Sequence, residues 1–142
     1  MKPAPEILLV DDSPADASLV CQALALSPRG SHIHGVTDGE EAMAFLHRLG
    51  KHAHAVRPDL VVLDLNLPRK DGRAVLAEVK ADPDLHRLPI IVFTTSSSGL
   101  DVVRSYELGA NCYVTKPGNL GDFFAAVRSI EEFWFDFASL PH

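Results

Sequence analysis

Hydrophobic and polar positions alternate along this chain in five units, each a short apolar run followed by a longer amphipathic stretch. The short runs are rich in Val, Ile and Leu, which is typical of parallel strands that are buried on both faces. The longer stretches place apolar residues at i, i+3, i+4 and i+7, which is typical of helices. The pattern therefore predicts strands at residues 7–10, 32–36, 60–65, 90–93 and 111–114, each followed by a helix.

Capping signals mark where the predicted helices begin. Ser13 is followed by a proline and, three residues on, by an aspartate, and Asp38 is followed by a glutamate at the same spacing. Both patterns are typical of a helix N-terminus. Ser98 and Asn119 are the predicted caps of the last two helices, and the final helix is expected to run to about Phe135. The polar segment 51–58 is predicted to be a loop.

Five strand–helix units in series indicate a parallel sheet that is covered by helices on both faces. The predicted fold is a flavodoxin-like, doubly wound (βα)5 domain of the α/β class, with strand order 2-1-3-4-5. The 142 residues suit a single domain, with a core at about 6–135 and a C-terminal extension at 136–142.

The composition of the chain argues against nucleic-acid-binding, membrane-spanning and secreted proteins. The formal net charge is −6, which argues against a nucleic-acid partner because such binding needs a basic surface. No apolar stretch approaches the roughly 20 residues that cross a bilayer, and no secretory signal is recognised at the start of the chain. Cys21 and Cys112 form no CxxC pair, so we expect reduced thiols in a cytoplasmic protein without a membrane partner.

Polar residues stand at the ends of four predicted strands. The first strand ends in Asp11 and Asp12, the third in Asp64, the fourth in Thr94 and the fifth in Lys116. Since ligands of open parallel sheets bind beyond the carboxyl ends of the strands, these side chains are expected to meet in one crevice. The switch point between the first and third strands would place the three aspartates side by side.

Three neighbouring carboxylates repel one another, and Mg²⁺ is the predicted counter-ion because it prefers oxygen ligands. Asp64 stands alone at the end of the central strand, so it is the candidate nucleophile for a phosphoryl group. Lys116 is a candidate second cation and Thr94 a candidate hydrogen-bond donor to the phosphoryl oxygens.

These residues resemble those of the response-regulator receiver domains of two-component signalling. The matching positions are Asp11, Asp12, Asp64, Asn66, Pro68, Gly72, Thr94, Gly109, Ala110, Lys116 and Pro117. The resemblance implies that Asp64 accepts a phosphoryl group from a histidine kinase. It also implies that Asp11, Asp12, Asp64 and the backbone carbonyl of Asn66 hold Mg²⁺.

The same resemblance extends to conformational switching. It implies that Thr94 and Lys116 bind the phosphoryl oxygens and that Tyr113, three residues before Lys116, turns inward as Thr94 moves. It further implies a cis Lys116–Pro117 bond. The alternative for Tyr113 is a half-buried strand residue without a gating role.

Shorter motifs resemble stand-alone regulators that are paired with phytochrome-type histidine kinases. They are Lys80-Ala81-Asp82-Pro83, Phe93-Thr94-Thr95-Ser96, Asn111-Cys112-Tyr113 and Glu131-Glu132-Phe133-Trp134. The predicted function is therefore that of a phosphoryl-accepting regulator in a light-sensing pathway. The resemblance implies that such a regulator catalyses only its own phosphorylation and slow dephosphorylation.

Two other functions remain open at this point. A receiver-shaped interaction module could work without phosphorylation, although the intact acidic set and Lys116 disfavour it. A small phosphatase with an aspartyl nucleophile is disfavoured because no cap domain and no additional acid or base accompanies Asp64.

The last helix carries more apolar surface than one buried stripe needs. Six of the ten aromatic residues lie in it or just beyond it. We predict a homodimer whose interface includes Phe133, Trp134 and Phe137, because exposed apolar patches often mark interfaces. The alternative is that this tail folds back onto its own domain.

Overall fold

A computed structural model of the chain describes residues 3–141. The strands are β1 Glu6–Val10, β2 His32–Val36, β3 Leu60–Leu63, β4 Ile90–Thr94 and β5 Cys112–Thr115. The helices are α1 Pro14–Ala25, α2 Gly39–His47, α3 Gly72–Ala81, α4 Gly99–Glu107 and α5 Leu120–Glu132. A short 3₁₀ turn spans Gly50–His52, and a π-helical turn, Phe133–Phe137, follows α5.

All five strands are parallel and lie in the order β2-β1-β3-β4-β5, so the predicted flavodoxin-like fold is confirmed. The register pairs Val10 of β1 with Leu63 of β3. These two central strands therefore end level with each other, and the Asp64 backbone N–H donates to the Val10 carbonyl at 2.9 Å. This register sets the first aspartate pair and Asp64 at the same edge of the sheet.

Alternate residues of the strands face two separate hydrophobic clusters. In β1, Leu8 and Val10 pack with α2 and α3, whereas Ile7 and Leu9 pack with α1 and α5. The four strand residues are at most 2% exposed. Two-sided burial explains why the strand sequences are almost continuously apolar. The same packing makes the sheet a rigid base for the side chains at its carboxyl edge.

The predicted N-caps are present. Ser13, Asp38, Ser98 and Asn119 each accept a hydrogen bond from a backbone N–H of the first helical turn. Asp71 caps α3 in the same way. These bonds satisfy N–H groups that have no partner within their own helix. They also fix where the loops at the carboxyl edge of the sheet join the helices.

Several boundaries differ from the sequence-based expectations. The apolar pattern extends to Leu49, but helix α2 ends at His47 because Arg48 adopts a left-handed conformation with φ of 57°. The predicted loop at 51–58 begins inside the 3₁₀ turn. Strand β3 ends at Leu63, although Leu65 is fully buried. The Lys116–Pro117 bond is trans, as is every peptide bond in residues 3–141, so the expectation of a cis bond is wrong.

The C-terminal segment folds back along the domain. Trp134 and Phe135 pack against the hydrophobic cluster beneath α1 and α5, while Phe133 and Phe137 are 54% and 74% exposed. Arg29, in the turn after α1, donates two hydrogen bonds to Asp136, at 2.7 and 2.9 Å.

None of the helices within residues 3–141 combines the length and the apolar character that a membrane span requires.

Candidate functional site

Three carboxylates meet beyond the ends of β1 and β3. Asp11 is 3% exposed and Asp64 is 9% exposed, whereas Asp12 is an exposed residue. One carboxylate oxygen from each lies within 4.8 Å of the others. The level ends of the two strands produce this cluster, as the sequence predicted. Among residues 3–141, it is the one group of three or more carboxylate, imidazole or thiol side chains whose ligand atoms all lie this close together.

Lys116 reaches into this cluster from the end of β5. Its ammonium group donates to Asp11 Oδ2 at 2.7 Å, Asp16 Oδ2 at 2.8 Å and Asp64 Oδ2 at 3.1 Å. The Lys116 side chain is 3% exposed, so the ammonium group lies away from solvent, although its partner Asp16 is 29% exposed. The Lys116 backbone N–H also donates to the Thr94 carbonyl at 2.7 Å, which ties β5 to β4 at the site.

Asp16 is a site residue that the sequence analysis missed. Its position in the sequence predicts only an acidic residue in the first turn of α1, and its backbone N–H does donate to the Ser13 hydroxyl at 3.2 Å. Its carboxylate also binds Lys116. The available signal was the position of this turn directly after Asp11 and Asp12, which brings the start of α1 close to the crevice.

Thr94 contacts the Asp64 carboxylate oxygen that Lys116 does not bind. Its hydroxyl donates to Asp64 Oδ1 at 2.8 Å, and the threonine is fully buried. The two oxygens of Asp64 thus have different partners, the hydroxyl on Oδ1 and the Lys116 ammonium on Oδ2. Two fixed hydrogen-bond donors on one carboxylate hold it in a single orientation toward the crevice.

The charges of the cluster affect one another. Burial raises the pKa of Asp11 above its ordinary value, although hydrogen bonds from Lys116 and from the Ser13 backbone oppose this. Burial by itself would lower the pKa of Lys116, but its hydrogen bonds to Asp11 and Asp16 outweigh burial and raise that pKa. Lys116 therefore stays an ammonium ion. One ammonium balances only part of the surrounding carboxylate charge.

This donor set fits a divalent cation. Mg²⁺ binds through oxygen ligands, keeps several waters and needs few carboxylates, so two buried carboxylates and an exposed third supply suitable oxygens. Asp12 is exposed, which leaves the cluster open to solvent on one side. Asn66, whose carbonyl was predicted to be a further ligand, is an exposed residue of the loop that directly follows Asp64 and Leu65.

The β3–α3 loop packs tightly against Asp64. The Gly72 backbone N–H donates to the Leu65 carbonyl at 2.8 Å. A Cβ atom at Gly72 would collide with the Asp64 carbonyl oxygen and with the Leu65 Cα. Glycine at this position therefore lets the start of α3 lie directly against the candidate nucleophile.

Tyr113 reaches from β5 to the β4–α4 loop. Its ring is half-buried against the cluster that contains α2 and α3, and its hydroxyl donates to the Ser96 carbonyl at 2.7 Å. In this structure, an inward-facing Tyr113 thus coexists with the Thr94 hydroxyl on Asp64. The predicted coupling of these two residues is geometrically possible through the short segment between Thr94 and Ser96.

Known proteins are similar to this domain in sequence and in arrangement. The family model described as the response regulator receiver domain matches residues 7–128. The response regulator Rcp1 of Synechocystis sp. is 50% identical over 139 residues, which are 98% of this chain and 95% of Rcp1. The match therefore extends beyond the carboxyl edge of the sheet to nearly the whole chain.

Two crystal structures agree closely with the fold. The phosphorylated cyanobacterial phytochrome response regulator RcpA matches with a TM-score of 0.95 and 50% identity, over 99% of this chain and 100% of that chain. The Mn²⁺-bound form of Rcp1 matches with a TM-score of 0.92 and 50% identity, over 97% of this chain and 99% of that chain.

Proposed function

The chain belongs to the response regulator receiver family, and on that premise we propose that it carries a phosphoryl group on Asp64 and signals through the resulting conformational change. The donor is the phosphohistidine of a sensor histidine kinase, and Mg²⁺ is the required ion. The observation that carries this proposal is the placement of Asp64 between the Thr94 hydroxyl, at 2.8 Å, and the Lys116 ammonium, at 3.1 Å.

The transfer follows from this geometry. A carboxylate oxygen of Asp64 forms a bond to phosphorus while the bond between phosphorus and the imidazole nitrogen of the donor breaks, and its electron pair remains on that nitrogen. The product is a mixed anhydride on Asp64. Lys116 and Thr94, which now contact the carboxylate, are placed to donate to the phosphoryl oxygens as negative charge moves onto them.

Asp11, Asp12, Asp64 and the carbonyl of Asn66 form the proposed metal site. A bound divalent ion supplies positive charge that lets an anionic phosphoryl donor approach a cluster of carboxylates. Asp16 and Asp11 hold the Lys116 ammonium at the rim of the same cluster, at 2.8 and 2.7 Å. The chain thereby keeps one fixed cation next to Asp64 whether or not the ion is bound. This site serves the chain's own phosphorylation and slow dephosphorylation and turns over no separate substrate.

Thr94 and Tyr113 are the proposed switch. When the Thr94 hydroxyl binds a phosphoryl oxygen instead of the carboxylate, the β4–α4 loop moves with it and the Ser96 carbonyl carries the Tyr113 hydroxyl along. A local change in charge at Asp64 thus becomes a change at the surface formed by α4 and β5.

A phytochrome-type histidine kinase is the proposed donor. This assignment is supported by RcpA, which is a cyanobacterial phytochrome response regulator and shares 50% identity with the chain. The net charge of −6 suits a protein partner better than a nucleic acid. Both cysteines are free thiols, which suits a reducing cytoplasm where such kinases use ATP.

A homodimer is the proposed assembly. Phe133 and Phe137 are the most exposed of the aromatic residues at the C-terminal end, and they belong to the same π-helical turn. Trp134 contacts the Phe133 ring edge-on at 5.4 Å but also packs against its own domain. The interface is therefore proposed to centre on the two phenylalanines and to include Trp134, which packs against Phe133.

Light-dependent transfer tests the proposed function. The chain is incubated with a phytochrome-type histidine kinase and labelled ATP, in darkness and under red light, and the label is then treated with hydroxylamine. We expect label that depends on Mg²⁺ and on the light state of the kinase, and that hydroxylamine releases because an acyl phosphate is labile to it. Asp64→Asn should abolish the label, whereas Asp84→Asn, an exposed aspartate next to Pro83 beyond α3, should retain it.

Other outcomes identify the alternative functions. Absence of transfer, together with absence of saturable binding of beryllofluoride and Mg²⁺, would indicate a receiver-shaped module that is not phosphorylated. Steady release of phosphate from small esters would indicate a phosphatase. A label that resists hydroxylamine would place the modification on a hydroxyl group instead of Asp64.

A further inference from the structure

An arginine bridges the two loops that flank Asp64. Arg73, in the first turn of α3, donates from Nη2 to Asp101 Oδ1 at 2.9 Å. Its Nη1 donates to Asp71, the N-cap of the same helix, at 3.2 and 3.3 Å. Since Asp101 lies in the first turn of α4, one guanidinium ties the end of the β3–α3 loop to the end of the β4–α4 loop.

The bridge continues to the proposed switch. The second oxygen of Asp101 accepts the Ser96 hydroxyl at 2.6 Å. The carbonyl of the same Ser96 accepts the Tyr113 hydroxyl at 2.7 Å. Ser96 follows Thr94 by two residues, and the Thr94 hydroxyl contacts Asp64. Ser96 is therefore held on one side by Asp101 and on the other by Tyr113.

The ion pair between Arg73 and Asp101 is partly buried, and it helps to fix the Asp101 carboxylate in place. Arg73 and Asp101 are 29% and 22% exposed, so their ion pair is partly shielded from water. Hydrogen bonds from Ser96 and then from Arg73 lower the pKa of Asp101 below its ordinary value. Both oxygens of the Asp101 carboxylate are used, one for Arg73 and one for Ser96. Loss of Arg73 therefore removes one of the two contacts that fix the carboxylate holding Ser96.

We propose that Arg73 is a positioning residue for the switch. Through Asp101 and Ser96, it holds the β4–α4 loop in the form that accepts the Tyr113 hydroxyl, so that Thr94, Ser96 and Tyr113 move together. This proposal rests on the proposed function of Asp64. Without the bridge, Ser96 can relax separately when Thr94 moves, and the state of Tyr113 follows the state of Asp64 less closely.

Fluorine NMR of the full chain labelled with 3-fluorotyrosine tests this. The chain has two tyrosines, so two protein resonances are expected, and Tyr113→Phe identifies the one from Tyr113. Beryllofluoride with Mg²⁺ is the phosphoryl analogue, and its titration gives a dissociation constant and the change in the Tyr113 resonance in one experiment. Arg73→Ala and Asp101→Asn are compared with Arg73→Lys, which restores a cation.

The expected result separates the binding of beryllofluoride from the response of Tyr113 to that binding. Both disrupting variants should bind beryllofluoride within about threefold of the wild type, because the bridge does not contact Asp64 directly. At saturation, the change in the Tyr113 resonance should fall to about half or less of the wild-type change, and Arg73→Lys should recover part of it. Lys70→Ala is the matched control, since Lys70 pairs with Glu78 near the same helix, at 3.0 Å.

Two outcomes overturn different claims. If the wild type binds no beryllofluoride, the proposed function of Asp64 fails before the bridge is tested. If the wild type binds and Tyr113 responds fully in Arg73→Ala and Asp101→Asn, the positioning role of Arg73 is wrong. An equal loss in Lys70→Ala would likewise overturn it, because the effect would then follow from any charge lost near α3.

Discussion

Asp12 is the member of the carboxylate cluster whose role is easiest to isolate. Asp11 and Asp64 both bind Lys116, so their substitution disturbs a buried ion pair as well as any metal site. Asp12 is exposed and is not one of the Lys116 partners. Its replacement by asparagine should therefore report on metal binding with little effect on the metal-free fold.

Mg²⁺ should stabilise the wild type more than Asp12→Asn. At a free concentration about tenfold above the wild-type dissociation constant, linkage gives a gain of about 1.4 kcal/mol in the free energy of unfolding. Asp12→Asn removes one anionic ligand and one repulsive charge, so its gain should be less than half as large. Urea denaturation with Mg²⁺ or with NaCl at equal ionic strength measures both. Asp84→Asn is the control, and equal gains in all three proteins would contradict a metal site at Asp12.

Glu6 gives a pH dependence that is separate from the carboxylate cluster. Its two oxygens contact His32 Nδ1 at 2.9 Å and His34 Nε2 at 2.6 Å, on the neighbouring edge strand. Burial acts to raise the pKa of Glu6, but these hydrogen bonds outweigh burial and lower it below the ordinary value of 4.5. His32 and His34 of β2 thus share an anionic partner on β1.

Glu6→Gln should cost stability only when Glu6 is ionised. A lowered pKa in the folded state means that the carboxylate stabilises the fold above pH 4.5 and that this contribution is lost as the pH falls through the lower folded value. We expect a deficit of under about 1 kcal/mol near neutrality, since the group is partly exposed. Denaturation across pH measures whether the deficit closes under acid conditions.

The control for this pH dependence removes its source. In a chain that carries His32→Gln and His34→Gln, the effect of Glu6→Gln should lose most of its dependence on pH. If the effect of Glu6→Gln instead keeps its full dependence on pH in that chain, the two histidines do not account for the lowered pKa of Glu6.

Single residues also mark the limit of prediction from the sequence. Asp64, Thr94 and Lys116 were predictable because each ends an apolar strand, and parallel strands end at a common edge. Asp16 was not, because its capping role was sufficient to explain it. The contact between Arg73 and Asp101 was not predictable either, since it depends on how two loops close over the sheet. Backbone periodicity locates strand ends, but it does not determine long side-chain contacts between loops.

At the scale of elements, the C-terminal segment depends on contacts from the other end of the chain. Arg29 approaches Glu131 at 3.6 Å as well as binding Asp136, and its guanidinium lies 5.8 Å from the Phe135 ring centre. Glu131 is 3% exposed and accepts the Ser31 hydroxyl at 2.9 Å. The turn between α1 and β2 thus holds the end of α5 by a buried carboxylate and an exposed one.

Arg29→Ala should destabilise the protein by about 2–3 kcal/mol, because it leaves the buried Glu131 carboxylate without its cation. Asp136→Asn should cost under about 1 kcal/mol, since that side chain is 46% exposed. Chemical denaturation measures both values, and the single tryptophan, Trp134, reports on the segment itself. Arg128→Ala, an exposed arginine of α5, is the control. Equal losses in the two arginine variants would contradict a specific role for Arg29.

This dependence explains why the end of α5 was predicted less well than its start. Asn119 caps the helix through a local hydrogen bond, so the predicted start of α5 was correct. The end was expected at about Phe135, but α5 stops at Glu132 and a π-helical turn follows, closed by the Ala138 N–H on the Phe133 carbonyl at 2.8 Å. The contact of Asp136 with Arg29 spans 107 residues, and local periodicity carries no information about it.

At the scale of the whole molecule, the sheet keeps the charged site apart from the hydrophobic core. Its carboxyl edge holds the charged site, and its two faces are sealed by hydrophobic clusters that leave the strands fixed. The proposed switch therefore involves the loops and helix starts at this edge, where Ser96 follows Thr94 by two residues and accepts the Tyr113 hydroxyl. The exposed phenylalanines of the C-terminal turn lie outside both clusters, which leaves them available for another copy of the chain.

Replacing both exposed phenylalanines should weaken a homodimer without unfolding the domain. Phe133→Ser with Phe137→Ser removes apolar side chains that are 54% and 74% exposed, so the cost to the monomer is small. In a two-fold interface, each substitution acts twice, and we expect the dimer dissociation constant to rise by about tenfold or more. Sedimentation equilibrium of the full chain, with and without beryllofluoride and Mg²⁺, measures it. Leu49→Ser, which changes a 59% exposed leucine after α2, is the matched control. A monomeric wild type in both conditions would exclude the dimer, whereas an equal loss in the control would move the interface away from the C-terminal turn.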